Sequence, residues 1–397
     1  MNRRHFLQQA SAAAVLSTQP TLARSASRPV ITKEILLRGR GGAGPTWFHP
    51  RACRLPDGRV FLTLQTIGGS DYFGPVHLML SDDLGHTWTT PEPVPPLGWV
   101  EQADGSNEGV CDVVPEWHAP TGTVLAFGHN VYYSGPKFSR DQPPRWPIYA
   151  VWKDGAWGPR RKLEWDDPRG AYIYSNNCGQ KVHRPDGAVV MSFTFGVKDQ
   201  PRSVCGVLAD FDGETLRVKE TGPALTLSAG RGLLEPSVTF FQNRYYLTIR
   251  AEDDCGYVSV SDDGLHYAAQ KAWAWDDTGE PLQMSTTQQH WLTREGELWL
   301  VYTRRDAATN DRVTRWRSPL WMARVDPDSL RLIRATEQVV LPLMGDGLKA
   351  PDEVALMGNF HVTRIDGREQ WVTVGEWHPR RQNLGGDALL ARIRWSE

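Results

Sequence analysis

The chain has 397 residues, with 40% hydrophobic and 23% charged side chains and a formal net charge of -2. That length admits about two or three ordinary domains or one large repeat fold, and the balanced charge excludes nucleic acid or an anionic membrane surface as an electrostatic partner. The 17 Trp are a rich supply of the aromatic faces on which sugar rings stack, as well as of the wedges that fill gaps between sheets.

In chain order, the first element reads as an export leader. Arg3 and Arg4 precede a short apolar run, Ala10 to Leu16, and the small residues Ala23, Ser25 and Ala26 follow. This pattern resembles a twin-arginine signal over residues 1–26, which places the mature chain, 27–397, in the periplasm or outside the cell. The apolar run is too short to span a bilayer, so no membrane span is expected. The five cysteines, Cys53, Cys111, Cys178, Cys205 and Cys255, are odd in number and contain no C-x-x-C pair; they read as small buried apolar residues.

Beyond residue 30 no amphipathic helix is evident. Short β-branched and aromatic runs recur instead, broken by Gly, Asp, Asn and Pro. A strand, a tight turn and a second strand are predicted at Arg51–Leu64 around Pro56-Asp57-Gly58, at Val110–His129 around Pro120-Thr121-Gly122, and at Asn177–Phe195 around Pro185-Asp186-Gly187. The same unit recurs at Glu235–Arg250, Gln289–Arg304 and Asn359–Glu376. Further strand-like text follows each hairpin. Repeats of about four strands imply an all-β, six-bladed β-propeller forming one domain, with seven blades as the alternative. The last unit shows three clear strands, so Val30–Leu37 is expected to supply the fourth and close the ring, leaving no open sheet edge.

In a propeller the first strand of each blade lines the central channel. Counting back from each turn gives His49, Asp112, Asn177, Glu235, Gln288 or Gln289, and Asn359, all polar. Six polar side chains around one axis point to a wet pocket or ligand site, since buried polar groups need partners. The second strands end at His129, Arg250, Arg304 and Glu376, and His118 stands beside Trp117. Because Arg304 and Arg305 are adjacent, one of them at most can face the channel. No zinc-ligand spacing is present and no cofactor is called for; Ca²⁺ at Glu252-Asp253-Asp254 is the one cation the sequence leaves room for, beside the simpler reading of a solvated loop.

The turn Ser81-Asp82-Asp83-Leu84-Gly85-His86-Thr87-Trp88 and its partial copy Ser261–Tyr267 resemble the Asp box of the sialidase (neuraminidase) superfamily, whose fold is a six-bladed propeller. That resemblance implies a carbohydrate-active, sialidase-like protein. Family members grip the substrate carboxylate with three arginines, use a tyrosine nucleophile assisted by a glutamate, and use an aspartate as acid/base. Glu235, followed by Arg250, is similar to the family's glutamate and second arginine, and Arg304 is similar to the third. Where the family places its first arginine, this chain has His49, although a slip of one or two residues would put Arg51 there. Where the family places its tyrosine, this chain has Asn359, and no Tyr follows Tyr302. The sialidase mechanism therefore does not carry over. The segments around Cys111–His129, Gly230–Val238, Ser259–Tyr267 and Thr286–Trp291 also resemble exported bacterial sialidase-like proteins, and related propellers include rhamnosyl-glucuronate hydrolases and lyases and ulvan lyases.

Two mechanisms fit these residues. Elimination beside a uronate needs a carboxylate clamp, for which Arg250 and Arg304 serve, with His49, His118, His129, Tyr172 and Tyr174 as proton carriers. Hydrolysis needs paired carboxyls, for which Asp112, Glu235 and Glu376 are candidates. The expectation is a monomeric glycoside hydrolase or polysaccharide lyase. It would cleave a terminal acidic sugar, or a bond next to a uronate, in an oligosaccharide or polysaccharide. His49, Asp112, Glu235 and His129 are its catalytic candidates. Arg250, Arg304, Asn177, Gln289, Asn359 and His118 are its substrate-binding candidates. The alternative is a glycan-binding propeller without catalysis.

Overall fold

A computed structural model describes residues 28–395, and the expected leader lies outside them. Six antiparallel sheets stand around one axis as a six-bladed β-propeller, so the alternative of seven blades is set aside. Among the described residues no helix is long and apolar enough to cross a membrane.

From the channel outward, blade one contains Trp47–Arg54, Val60–Gly69, His77–Ser81 and Glu92–Pro93. Blade two contains Asn107–His118, Thr123–Tyr133 and Pro147–Lys153, with short outer strands Ala156–Trp157 and Arg161–Lys162. In blade three the innermost position is split between Ile173–Ser175 and Val182–His183, followed by Ala188–Gly196, Ser203–Phe211 and Leu216–Thr221. Blade four runs Leu234–Phe241, Arg244–Arg250, Gly256–Ser261 and Lys271–Ala272, and blade five His290–Arg294, Glu297–Tyr302, Leu320–Asp326 and Arg331–Leu341. Each predicted hairpin is the inner half of one blade. The second strands carry the apolar runs: Thr123–Tyr133 is buried at every residue, because both faces of the blade pack on neighbouring sheets.

Blade six holds His361–Arg364, Glu369–Gly375 and Ala388–Arg394, and Val30–Leu37 pairs antiparallel with the last of these, as expected. This seam is fixed by charge as well as by the ladder. The fully buried Arg392 donates to Glu34 at 2.7 Å and to Glu369 at 3.0 Å. Arg40 donates Nε to Glu376 Oε2 at 2.7 Å, which draws the segment after the closing strand onto the same blade.

Two turns at the outer corners, in blades one and four, key their blade into the one before it. Ser81 Oγ donates to Asp83 Oδ1 at 2.8 Å, and Asp83 in turn accepts from the Thr87 amide and hydroxyl at 2.8 and 2.7 Å. Gly85 has φ 78°, and a Cβ there would stand 2.6 Å from the Trp371 ring of blade six. Arg392 donates to the carbonyls of Leu84 and Gly85, and Trp88 packs edge-on against Trp371. The copy at Ser261–Tyr267 repeats this against blade three: Gly264 has φ 81°, and its Cβ would stand 2.7 Å from Val190 Cγ1. Four cysteines are buried and Cys255 is half-buried, all as free thiols.

Candidate functional site

The inner strands do not run straight to the mouth of the channel. In blades one, two and four the ladder shifts by one residue, between Phe48 and Arg51, between Cys111 and Val114, and between Leu234 and Ser237. Each shift is a β-bulge, and the extra residue adopts a left-handed backbone: His49 at φ 51°, Asp112 at 55° and Glu235 at 44°. Asn177, at the break in blade three, does the same at φ 49°. Four of the six residues obtained by counting back along the sequence thus share one strained conformation. For non-glycine residues that conformation costs on the order of 1–3 kcal/mol and is held where it aims a side chain.

Asp112, Asn177 and Glu235 open into a cavity of about 610 Å³ at the axis, lined also by Gln288, Asn359, Arg250 and His129. Its walls are dominated by arginine: Arg140, Arg145, Arg202, Arg231, Arg250, Arg315 and Arg317 stand against four acids, Asp71, Asp112, Glu235 and Glu252. A chain that is slightly anionic overall therefore builds a strongly cationic hollow, which concentrates anionic ligands.

The two central carboxyls are shifted in opposite directions. Asp112 is pushed up to about 6, chiefly by burial, against the lowering influence of Arg51 and with a further rise from Glu235. Asp112 Oδ1 lies 3.1 Å from His49 Nε2 and 3.4 Å from Arg51 Nη2, which leaves Oδ2 toward the cavity. Burial acts on Glu235 in the same sense, but Arg250, Arg317 and Arg231 together outweigh it and hold the carboxyl below its ordinary range. Arg250 Nη1 donates to Glu235 Oε1 at 2.5 Å and Arg250 Nε to Thr286 Oγ1 at 3.1 Å, while Arg317 Nη2 donates to the Thr286 carbonyl at 2.9 Å. Thr286 thereby sets two guanidiniums side by side.

The expected residues fall into three groups. Asp112, Glu235, His129, Arg250, Asn177 and Asn359 line the cavity together. His49 lies directly beneath, 1% exposed and pushed far down by burial and by Arg51, so it is a neutral ring whose Nε2 accepts from Asn359 Nδ2 at 3.1 Å beside Asp112. The remaining candidates sit elsewhere. His118, at the far end of its strand, accepts from Thr121 and donates to the Gly187 carbonyl at 3.0 Å. Arg304 turns outward, pairs with Glu337 at 2.7 Å and stacks 4.4 Å above Trp321. Gln289 accepts from Thr248 at 2.7 Å, and it is Gln288 that reaches the cavity. Glu376 is bound to Arg40, and Tyr174 donates to the Leu163 carbonyl at 2.6 Å. His129 is no free base: its Nε2 accepts from Arg145 at 2.6 Å, and burial first, then Arg145, pushes it far down.

Several lining residues were not anticipated: Asp71 at the tip of a hairpin, and Arg145, Arg202 and Arg317 in the loops that enter the third strands of blades two, three and five. A signal for these three exists in the sequence. Each lies within two residues of a proline, in Arg145-Trp146-Pro147, Pro201-Arg202-Ser203 and Arg317-Ser318-Pro319.

Cys111, Asp112 and His129 offer ligand atoms within 4.8 Å of one another. Their surroundings oppose a cation, because Arg145 already occupies His129 Nε2, Arg51 faces Asp112, and burial drives the Cys111 thiol far up. The acidic run Glu252-Asp253-Asp254 is engaged as well: Glu252 accepts from Arg231 Nε at 2.8 Å and Asp253 from the Tyr257 hydroxyl at 2.6 Å.

No protein-family model matches the chain, and no curated protein does. Solved structures do match. A protein of unknown function from Dyadobacter fermentans superposes with a TM-score of 0.66 at 14% identity, over 92% of this chain and 99% of that one. A Hadza microbial sialidase gives 0.64 at 14% identity, over 91% of this chain and 68% of its own. The Trypanosoma rangeli sialidase gives 0.62 at 14% identity, over 92% of this chain but 59% of that one, so the present chain spans about three fifths of its length. Likeness at this identity is likeness of fold: a sialidase-like propeller.

Proposed function

We infer that this protein is an exported glycoside hydrolase that removes a terminal sugar acid from a glycan. The observation that carries this reading is the pair of central carboxyls, Asp112 raised to about 6 and Glu235 held ionised, inside an arginine-lined cavity of sugar size. Environments that drive two carboxyls apart in this way assign an acid and an anionic partner. Arg250 and Arg317, set together by Thr286, receive the substrate carboxylate in bidentate fashion. Asp112 gives its proton to the leaving oxygen through Oδ2. Its conjugate base is then stabilised by Arg51, whose Nη2 lies 3.4 Å from Oδ1. Glu235 offsets the positive charge that develops on the sugar ring as the bond breaks. Water completes the reaction. The fold is shared with proteins named as sialidases, one of them determined in complex with sialic acid, a carboxylate-bearing sugar. A tyrosine nucleophile has no place in this scheme: Asn359 occupies the blade-six position, and the Tyr172 hydroxyl donates to the Gln142 carbonyl at 3.2 Å.

Elimination beside a uronate is the second reading, favoured by Tyr172, Arg145 and Arg202 lining one side of the same cavity. Incubation with glycans ending in sialic acid, glucuronate or rhamnosyl-glucuronate separates the two. Reducing ends without ultraviolet absorbance are expected; an unsaturated uronate chromophore would replace hydrolysis by elimination. Asp112→Asn and Arg250→Gln are each expected to lower kcat/KM by about 100-fold or more. Binding of these glycans without any turnover would reduce the protein to a lectin.

A further inference from the structure

The carboxylate grip just described uses the wall formed by blades four and five. The opposite wall, from blades two and three, holds a second pair of guanidiniums with no such partner. Arg145 Nη2 donates to the neutral His129 ring at 2.6 Å, and its buried Nε has no acceptor. Arg202 is the residue before the third strand of blade three. Its amide donates to the Arg231 carbonyl at 2.8 Å, which binds its backbone to blade four, and among the described residues its side chain meets no carboxylate. Burial first, and then the like charges of Arg145 and Arg231, pushes Arg202 down to about 10.

Three of the four acids that line the cavity are already committed, Glu252 to Arg231, Glu235 to Arg250 and Asp112 to Arg51, and among the described residues the fourth, Asp71, forms no ion pair with either guanidinium. Tyr172 and Gln142, which line the same corner, are neutral hydrogen-bonding groups. Two half-buried guanidiniums without a paired carboxylate are unfavourable unless a ligand supplies the charge. Their planar forks match the oxygens of a sulfate or carboxylate better than they match water.

We propose that Arg145 and Arg202 form a second anion subsite, which takes a sulfate ester or a further carboxylate on the substrate while Arg250 and Arg317 hold the first acid group. The substrate class is then a glycan with two anionic groups near its cleaved end, such as a sulfated uronate or two adjoining acidic sugars. This rests on reading the cavity as a sugar-acid site, and it gives a role to two arginines beyond the pair that the first carboxylate uses.

The test is calorimetric titration of the full chain with glucuronate, with inorganic sulfate, and with acetate competing against sulfate. Wild-type protein should bind glucuronate and sulfate together. Arg145→Gln/Arg202→Gln should weaken sulfate by about tenfold or more and leave glucuronate within about twofold, and Arg250→Gln should do the reverse. Sulfate preferred over acetate at Arg145 and Arg202 identifies a sulfate ester, and the opposite order a carboxylate. Should the glutamine pair fail to fold, Arg145→Lys/Arg202→Lys keeps the charge, loses the forked geometry, and should still weaken sulfate. Unchanged sulfate affinity in these variants, or competition of sulfate and glucuronate for one site, overturns the proposal. Sulfate binding that depends on Arg145 and Arg202 in a protein that ignores glucuronate would keep this subsite and discard the sugar-acid reading.

Discussion

Left-handed backbone occurs at both ends of a blade, and the two ends fill it differently. At the outer corners the position is glycine, Gly85 and Gly264, with a neighbouring blade so close that a Cβ would strike it. Leu84 shares the first of these turns at φ 54°, where Arg392 holds its carbonyl. At the mouth of the channel the same backbone region is given to residues with long polar side chains: Asp71, Asp112, Asn177, Glu235 and Arg315 all line the cavity, and His49 lies just beneath. The corner needs only the path of the chain, so it takes the residue for which that path is free. The cavity needs the side chain, so the strain is tolerated there and the surrounding blades bear it.

This contrast can be broken or sharpened by measurement. The largest effect is expected at the corner. Gly85→Ala adds a Cβ against Trp371 in a conformation unfavourable to alanine and should cost about 3 kcal/mol in chemical denaturation. A loss below about 1 kcal/mol would mean that the corner is looser than its packing implies. Next comes the pH dependence of the cavity. Asp112 is raised to about 6 in the folded chain, so it binds its proton more tightly folded than unfolded. Its contribution to stability is full below the unfolded pKa, near 4, and is lost as pH rises through about 6. Between pH 4 and 8 the stability of wild type should therefore fall relative to Asp112→Asn by about 2–3 kcal/mol, and hydrolysis should decline above about pH 6 as the acid empties. Parallel pH profiles for the two proteins would remove Asp112 as the proton donor. The smallest effect concerns strain itself. Asp71→Gly, at an exposed tip with φ 58°, should gain about 0.5–1 kcal/mol while weakening turnover. A loss of stability there would show that the aspartate is held by contacts rather than imposed against preference.

Much of the wheel was legible in the sequence, for physical reasons that can be named. Turn signals such as Pro56-Asp57-Gly58 and Pro185-Asp186-Gly187 mark hairpins because few residues tolerate those backbone angles, and equal spacing from those turns found Asp112, Asn177 and Glu235. The count left Gln288 or Gln289 open, and the choice of Gln289 as the binding residue missed by one. Blade five has no bulge in its inner strand, and a shift of one residue turns a side chain to the other face. It failed more widely at Arg304, which leaves the end of Tyr302's strand to pair with Glu337 on the outermost strand of the same blade. Arg145, Arg202 and Arg317 escaped because loops carry no periodicity; the proline beside each was the legible mark, and it speaks of rigidity, not of direction.

The seam in blade six has a topological consequence. Val30 lies opposite Arg394 in the ladder, and Glu34 bonds Arg392 across 358 positions of sequence. The two ends of the described chain are thus neighbours in space, and synthesis delivers one edge of the final sheet first and its mate last. Splicing those ends with a short linker and opening the chain at the exposed Asp57 tip would make a circular permutant. Its last-closing seam would become an ordinary hairpin, and blade one would become the one that waits for both ends.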